Sequence, residues 1–548
     1  MATSTATSLP RMRGRALARE KAWLAVPVGL GALAAVSVLL RTARFSAGFW
    51  VDEGLSVGIA DRPLTDIPGV MRLDGSPPLY YMLLHLWMRG LGVRSEVALH
   101  SLSLVFAILA IPVAWALARA LFGDRAGWVA AVLVAVNPFL TQYAQETRMY
   151  SLVVLLAIAA CAGFVGAFAL DRGRRWVVGF ALAQVVLLYT HNWGLFLGAG
   201  LAAAWAALTM SASPERRRAL VRDGLLAAAI VLVLYAPWLP TLAFQAAHTG
   251  APWARAPDIL QLVWAPMNLL GDAPQYLLLL GTAAGLATLV RGPVRRWGPQ
   301  ARAALALLIV LLVGLSAAWL SSSVSPAWAL RYLAIGLGPI VLLCALGLSR
   351  AGLVGLCAVA LAGLVSLGLN GPKVKSNVRS VAEAIAPGLA AGDLVVTTQP
   401  EQAPVLHYYL EDVGGLRWAT LTGPLTDLGV TDWRDGTRQL EATSVERDLE
   451  PLLTAVEPGQ RVALIAPDFA ILKRWKAPWS ELVRTRSIAW EEAMRNDSRF
   501  RVLAVEPPNP VARANEVRAT VFLRQSLESR APSRRAGAAS APLASHLP

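Results

Sequence analysis

Two adjacent carboxylates, Asp52 and Glu53, follow the first apolar segment of a chain that is mostly hydrocarbon up to about residue 370. Near a membrane surface such a pair is suited to activating a hydroxyl. One carboxylate takes the proton as the oxygen attacks, and the other orients the acceptor or the first acid. The plain alternative is a solvated loop pair, since exposed acids are ordinary surface residues. Glu146 is a third acid of this kind, either a partner of Arg148, a partner of a substrate hydroxyl, or only a loop charge.

Carboxylates so placed need elements to hold them at a membrane surface. The 548 residues are 56% hydrophobic and 16% charged, with a mean hydropathy of +0.51. A soluble chain of this size carries more charge. Continuous apolar runs predict about eleven helical spans, near 23–40, 97–121, 126–141, 149–170, 176–190, 192–210, 223–243, 276–290, 303–320, 329–349 and 351–369. The segment Pro77–Trp87 reads as a short helix in the outer interface. The fold class is therefore mainly α, a polytopic helical membrane domain (23–371, with an outer loop 41–96) followed by a small extracytoplasmic α/β domain (372–525). A basic cytoplasmic tail (1–22) precedes it, and an Ala/Ser/Pro/Arg-rich tail (526–548) follows it.

In the α/β domain the pattern predicts strands at 393–398, 461–466, 501–505 and 517–524, and helices at 378–390, 444–456 and 478–495. His407-Tyr408-Tyr409 reads as helical packing. The net charge of +15 points away from nucleic acid. It concentrates in alternate loops, at Arg119, Arg125, Arg172, Arg216, Arg291, Arg295, Arg296, Arg302 and Arg350. The positive-inside rule puts those loops and the N-terminus in the cytoplasm of a multi-pass plasma-membrane protein, with the C-terminal domain outside. Three cysteines, all in apolar runs, give no disulfide or zinc framework. The spans hold almost no ionisable side chains, whereas ion-coupled transport calls for polar groups near the midplane. That favours interfacial chemistry over transport.

The run Phe49-Trp50-Val51-Asp52-Glu53 is followed by Ser76-Pro77-Pro78-Leu79-Tyr80-Tyr81 and His85-Leu86-Trp87. Phe122-Gly123 with Arg125-Ala126-Gly127, then Gln145-Glu146-Thr147-Arg148-Met149-Tyr150, Tyr189-Thr190-His191 and Arg331-Tyr332 come after them in order. This set resembles the multi-spanning glycosyltransferases of the GT-C class, and within it family 39, which contains protein O-mannosyltransferases and the lipid A aminoarabinose transferase.

The resemblance implies inverting transfer of a sugar, hexosyl or pentosyl, from a polyprenyl-phosphate donor on the non-cytoplasmic face. The acceptor is a hydroxyl of a cell-envelope glycan, lipid or protein. By the same resemblance Asp52 activates the acceptor and Glu53 assists it. A departing phosphate needs its charge stabilised, and arginine grips phosphate with two parallel hydrogen bonds. Arg331, Arg148 and Arg72 are the candidates for that task. Tyr80, Tyr81, His191 and Glu146 are candidates for lining the substrate site, although an aromatic belt also explains the tyrosines. No cofactor is required. A divalent metal stays open, with His191 its weak candidate ligand, because no second ligand stands at a recognisable spacing. The alternative reading is a transporter or flippase of a lipid-linked glycan.

Overall fold

The computed structural model describes residues 10–290, 297–368, 375–469, 476–506 and 516–526. Arg291, Arg295, Arg296 and nearly all of the C-terminal tail lie outside them. Each expected apolar segment is helical. Among the described residues five helical stretches are long and apolar enough to cross a membrane: Glu96–Phe122, Tyr150–Ala169, Pro214–His248, Pro299–Val324 and Leu330–Arg350. Ala25–Arg41, Gly194–Met210 and Gly352–Leu367 are shorter apolar helices. The first helix starts at Pro10, inside the stretch read as a basic tail.

Proline and asparagine set several boundaries near the site. The segment 126–141 is two helices, Asp124–Ala135 and Pro138–Tyr143, with Pro138 opening the second. The Asn137 side chain caps that second helix by accepting from the Leu140 N–H at 2.9 Å. The following non-helical turn, 144–149, is then free to lie against the carboxylates of residues 52 and 53.

The C-terminal region folds as a six-stranded sheet in the order β3-β2-β1-β4-β6-β5. The strands are β1 (Leu394–Thr397), β2 (Arg417–Thr420), β3 (Gly423–Pro424), β4 (Arg461–Pro467), β5 (Phe500–Glu506) and β6 (Val517–Arg524). The central pairs β2–β1 and β1–β4 are parallel, and β3, β6 and β5 join antiparallel. β1 and β4 are buried along almost their whole length, which explains their unbroken apolar sequences. The short strands β2 and β3 carry no such run and go beyond the four strands expected from the sequence.

One face of this sheet joins the membrane domain in a single apolar core, in which Val405 and Leu406 meet Phe49 and Leu55. The junction runs along the helix Val51–Ala60. A Cβ at Gly54 would lie 2.4 Å from Val405 Cβ, and one at Gly58 would lie 2.5 Å from the Gly429 carbonyl oxygen. Only glycine allows backbones this close. Gly54→Ala is expected to destabilise this docking by about 1–3 kcal/mol and to increase proteolysis between the two regions. Unchanged protease resistance of the purified variant would contradict it.

Candidate active site

Asp52 and Glu53 are neighbours on the first turn of Val51–Ala60, yet they face different surroundings. Glu53 is fully buried. Its Oε1 accepts from the Thr147 N–H at 2.8 Å and lies 2.7 Å from His100 Nε2. Lys375 Nζ donates to both carboxylate oxygens, at 2.9 and 2.8 Å, and to the Gln145 carbonyl at 2.8 Å. Burial alone would push Glu53 up, but the Lys375 ammonium and His100 outweigh it and hold the group below the usual carboxylate range.

These bonds tie the carboxylate helix, the 144–149 turn, the helix Glu96–Phe122 and the start of the C-terminal region to one side chain. Glu53 thus has the geometry of a positioning residue. Its folded-state pKa lies below the unfolded value, so its contribution to stability is present above the ordinary carboxylate range. That contribution is lost as pH falls through the folded value. Glu53→Gln should therefore cost about 3–5 kcal/mol near neutral pH, the usual penalty for breaking a buried pair. The gap to wild type should narrow in acid, as read from unfolding midpoints at pH 7 and pH 3. An equal gap at both would contradict this account.

Asp52 is oriented differently, with 17% of its side chain exposed. Its Oδ2 has no hydrogen-bond partner among the described residues. Two guanidinium groups face that oxygen, Arg331 Nη2 at 3.4 Å and Arg148 Nη2 at 3.8 Å. Arg148 is fixed by donating to the Asp52 carbonyl at 3.1 Å and to Ser56 Oγ at 3.0 Å. Arg331, in a short 3₁₀ turn before the helix Ala334–Arg350, lies over the Trp253 ring at 4.8 Å and the Trp50 ring at 5.5 Å.

A cleft of about 340 Å³ opens here. Trp50, Asp52, Trp253, Trp328 and Arg331 line it from the membrane domain, and Gln399, Glu401, Trp433 and Lys476 from the C-terminal region. An aromatic-lined cleft with a few convergent polar groups at a domain junction is a common form of ligand site.

The remaining candidates fall into two groups. Tyr80 and Tyr81 are wholly buried. The Tyr80 hydroxyl lies 3.0 Å from Ser103 Oγ, which donates to the Arg148 carbonyl at 2.8 Å, so Tyr80 supports the arginine. The Tyr81 hydroxyl donates to Asp74 at 3.4 Å. Glu146 is buried with Oε2 unpartnered among the described residues. Burial, with Glu53 and Asp52 adding to it, pushes Glu146 up against the opposing pull of Lys375 and Arg331.

Arg72 stands apart from the cleft. It lies 4.1 Å over the Phe244 ring and lines a separate groove with Tyr189 and Trp238. His191 packs between Tyr150 and Tyr332, and its Nδ1 accepts from the Trp193 N–H at 3.1 Å. Among the described residues no three His, Cys, Asp or Glu side chains gather as a metal site. The side chains against Asp52 are cations, which is a poor surrounding for a divalent ion. Lys375, Gln399 and Glu401 were not singled out from the sequence. Each becomes part of the site only through contacts several hundred residues apart.

Residues 75–240 match the family model described as dolichyl-phosphate-mannose-protein mannosyltransferase. The match spans Tyr80, Tyr81, Glu146, Arg148 and His191 and leaves Asp52 and Arg331 outside it. The fold aligns over 92% of this chain and 98% of ArnT from Cupriavidus metallidurans in the apo state, with TM-score 0.59 and 15% identity. The same enzyme bound to undecaprenyl phosphate aligns over 90% of this chain and 97% of its own, with TM-score 0.55 and 15% identity. The chain shares the ArnT fold. The Archaeoglobus fulgidus oligosaccharyltransferase tethered with an acceptor peptide aligns over 84% of this chain and 71% of its own, with TM-score 0.52 and 12% identity. A search of curated proteins finds no match. Asp52, Arg148 and Arg331 sit at helix ends on the side that carries the C-terminal sheet.

Proposed function

We propose that this protein transfers a sugar from a polyprenyl-phosphate donor to an acceptor hydroxyl on the non-cytoplasmic face. The observation that carries the reading is the unpartnered Asp52 Oδ2 beside Arg331 and Arg148 in a cleft at the domain junction. In the reaction the acceptor oxygen bonds to the anomeric carbon while the bond from that carbon to the phosphate oxygen breaks. The polyprenyl phosphate leaves with the electron pair, and the hydroxyl proton passes to Asp52. Arg331 and Arg148 hold the phosphate as its charge grows. A single displacement of this kind inverts the anomeric centre.

The binding of undecaprenyl phosphate by ArnT supports a lipid-linked donor here. Sidedness is supported by Arg172, Arg216 and Arg350, which stand at the helix ends far from Asp52, as the positive-inside rule requires of a cytoplasmic face. The donor sugar and the anomeric outcome are read together in one assay. Purified protein in lipid receives a labelled polyprenyl-phosphate sugar and a cell-envelope acceptor fraction. The expected product carries the label with inverted configuration. Movement of the intact donor across the bilayer without any transfer would favour the flippase reading instead.

A further inference from the structure

The cleft is built from two regions, and the reaction as described uses only one. The other wall comes from the carboxyl end of the sheet. The chain leaves β1 toward β2 on one side, whereas the chain leaving β4 turns toward β6 and β5 on the other. The gap between the ends of β1 and β4 is thus a topological switch point, where open α/β sheets bind ligands. Gln399 and Glu401 follow β1, Lys476 follows β4, and all three line the cleft that holds Asp52.

Glu401 is held in a fixed orientation. Trp479 Nε1 donates to its two oxygens at 3.0 and 3.2 Å, and Gln399 Nε2 donates to Oε1 at 2.9 Å. A carboxylate has about four lone-pair sites, so these bonds leave capacity for ligand hydroxyls. Four indoles, Trp50, Trp253, Trp328 and Trp433, line the same cleft as this acid. The Nε1 atoms of Trp50 and Trp328 are buried without a partner among the described residues, as is Nε of Arg331. Flat apolar faces interleaved with unsatisfied donors and a fixed acid suit a ring that carries several hydroxyls. An extended peptide is a poorer fit, because it adds to a sheet edge, and the edges here are β3 and β5 rather than β1 and β4.

We infer that the β1 loop is the acceptor subsite and that Gln399 and Glu401 read the hydroxyls of a carbohydrate acceptor, presenting one of them to Asp52. This rests on the transferase reading above for its reaction but not for its binding.

The test uses the full chain in lipid nanodiscs, without donor, and follows tryptophan fluorescence. The probes are neutral pentasaccharides of gluco, manno and galacto configuration and a threonine-rich hexapeptide. At least one pentasaccharide is expected to give a saturable change, and the peptide none. Glu401→Gln and Gln399→Ala should each weaken that binding about tenfold, the scale of one hydrogen bond to a charged group. If Glu401→Gln does not fold, Gln399→Ala decides. Saturation by the peptide alone, no saturation by any sugar, or sugar binding unchanged in the variants would overturn the inference. A transfer assay on the wild type separates the two readings. A wild type that binds a pentasaccharide, with that binding weakened in Glu401→Gln and Gln399→Ala, yet transfers no sugar from any donor defeats the transferase reading and keeps this one.

Discussion

Asp52→Asn lowers the rate of transfer by about 10²–10⁴-fold, the range general-base catalysis contributes. The substitution keeps the shape of the side chain and exchanges an acceptor for an amide that cannot take a proton. Oδ2 makes no hydrogen bond that the change would break, and its contacts are ion-pair approaches at 3.4 and 3.8 Å. The helix that carries it is fixed by Glu53 and by the close approach of Gly54 to Val405, neither of which the substitution touches. A fall in rate with unchanged apparent affinity for the donor is therefore the expected signature, measured as turnover of a labelled polyprenyl-phosphate sugar. Asp52→Glu, which moves the oxygen by one methylene, should retain a small fraction of the rate. Asn at wild-type turnover would remove Asp52 from the proton transfer.

The contrast between Asp52 and Glu53 marks what a sequence can and cannot convey here. Their adjacency after an apolar segment was legible, because charge is rare in that setting. Their different surroundings were not, because these depend on Lys375, some 320 positions later, which donates to both oxygens of Glu53. The apolar helices were legible for the same reason that membranes are selective, since every backbone group must be satisfied within the segment.

The buried strands β1 and β4 were equally plain, whereas β2 and β3 are short and take their order from tertiary pairing. Gln145-Glu146-Thr147-Arg148 stood out as one of the stretches that carry the family resemblance. The structure supplies the physical reason. Gln145 and Thr147 hold Lys375 and Glu53 through the backbone, and Arg148 holds Asp52 and Ser56. Arg72 illustrates the opposite case. The sequence ranked it behind Arg331, which stands in an aromatic context and in a stretch that carries the family resemblance, and the packing of Phe244 beneath its guanidinium places Arg72 in another groove.

Arg331→Lys is expected to reduce kcat by about 10²–10³-fold, the scale of removing one donor to a developing oxyanion, with a smaller change in KM. Lysine keeps the charge, so ground-state attraction of a phosphate largely survives. What it loses is the planar fork that donates two parallel bonds and stacks on rings. Arg331 uses that shape: one nitrogen approaches Asp52, Nε is free of protein partners among the described residues, and the plane lies over Trp253 and Trp50. A lysine ammonium in this place would sit as a point charge close to Asp52 and quench the base it should leave open. The loss should thus concentrate in the step where the phosphate departs. A polyprenyl-diphosphate sugar should recover part of it, because the charge that develops on the leaving oxygen is then spread over two phosphoryl groups. Arg331→Lys that raises KM alone, with kcat intact and no rescue by the diphosphate donor, would assign Arg331 to holding the substrate and not to the departure of the phosphate.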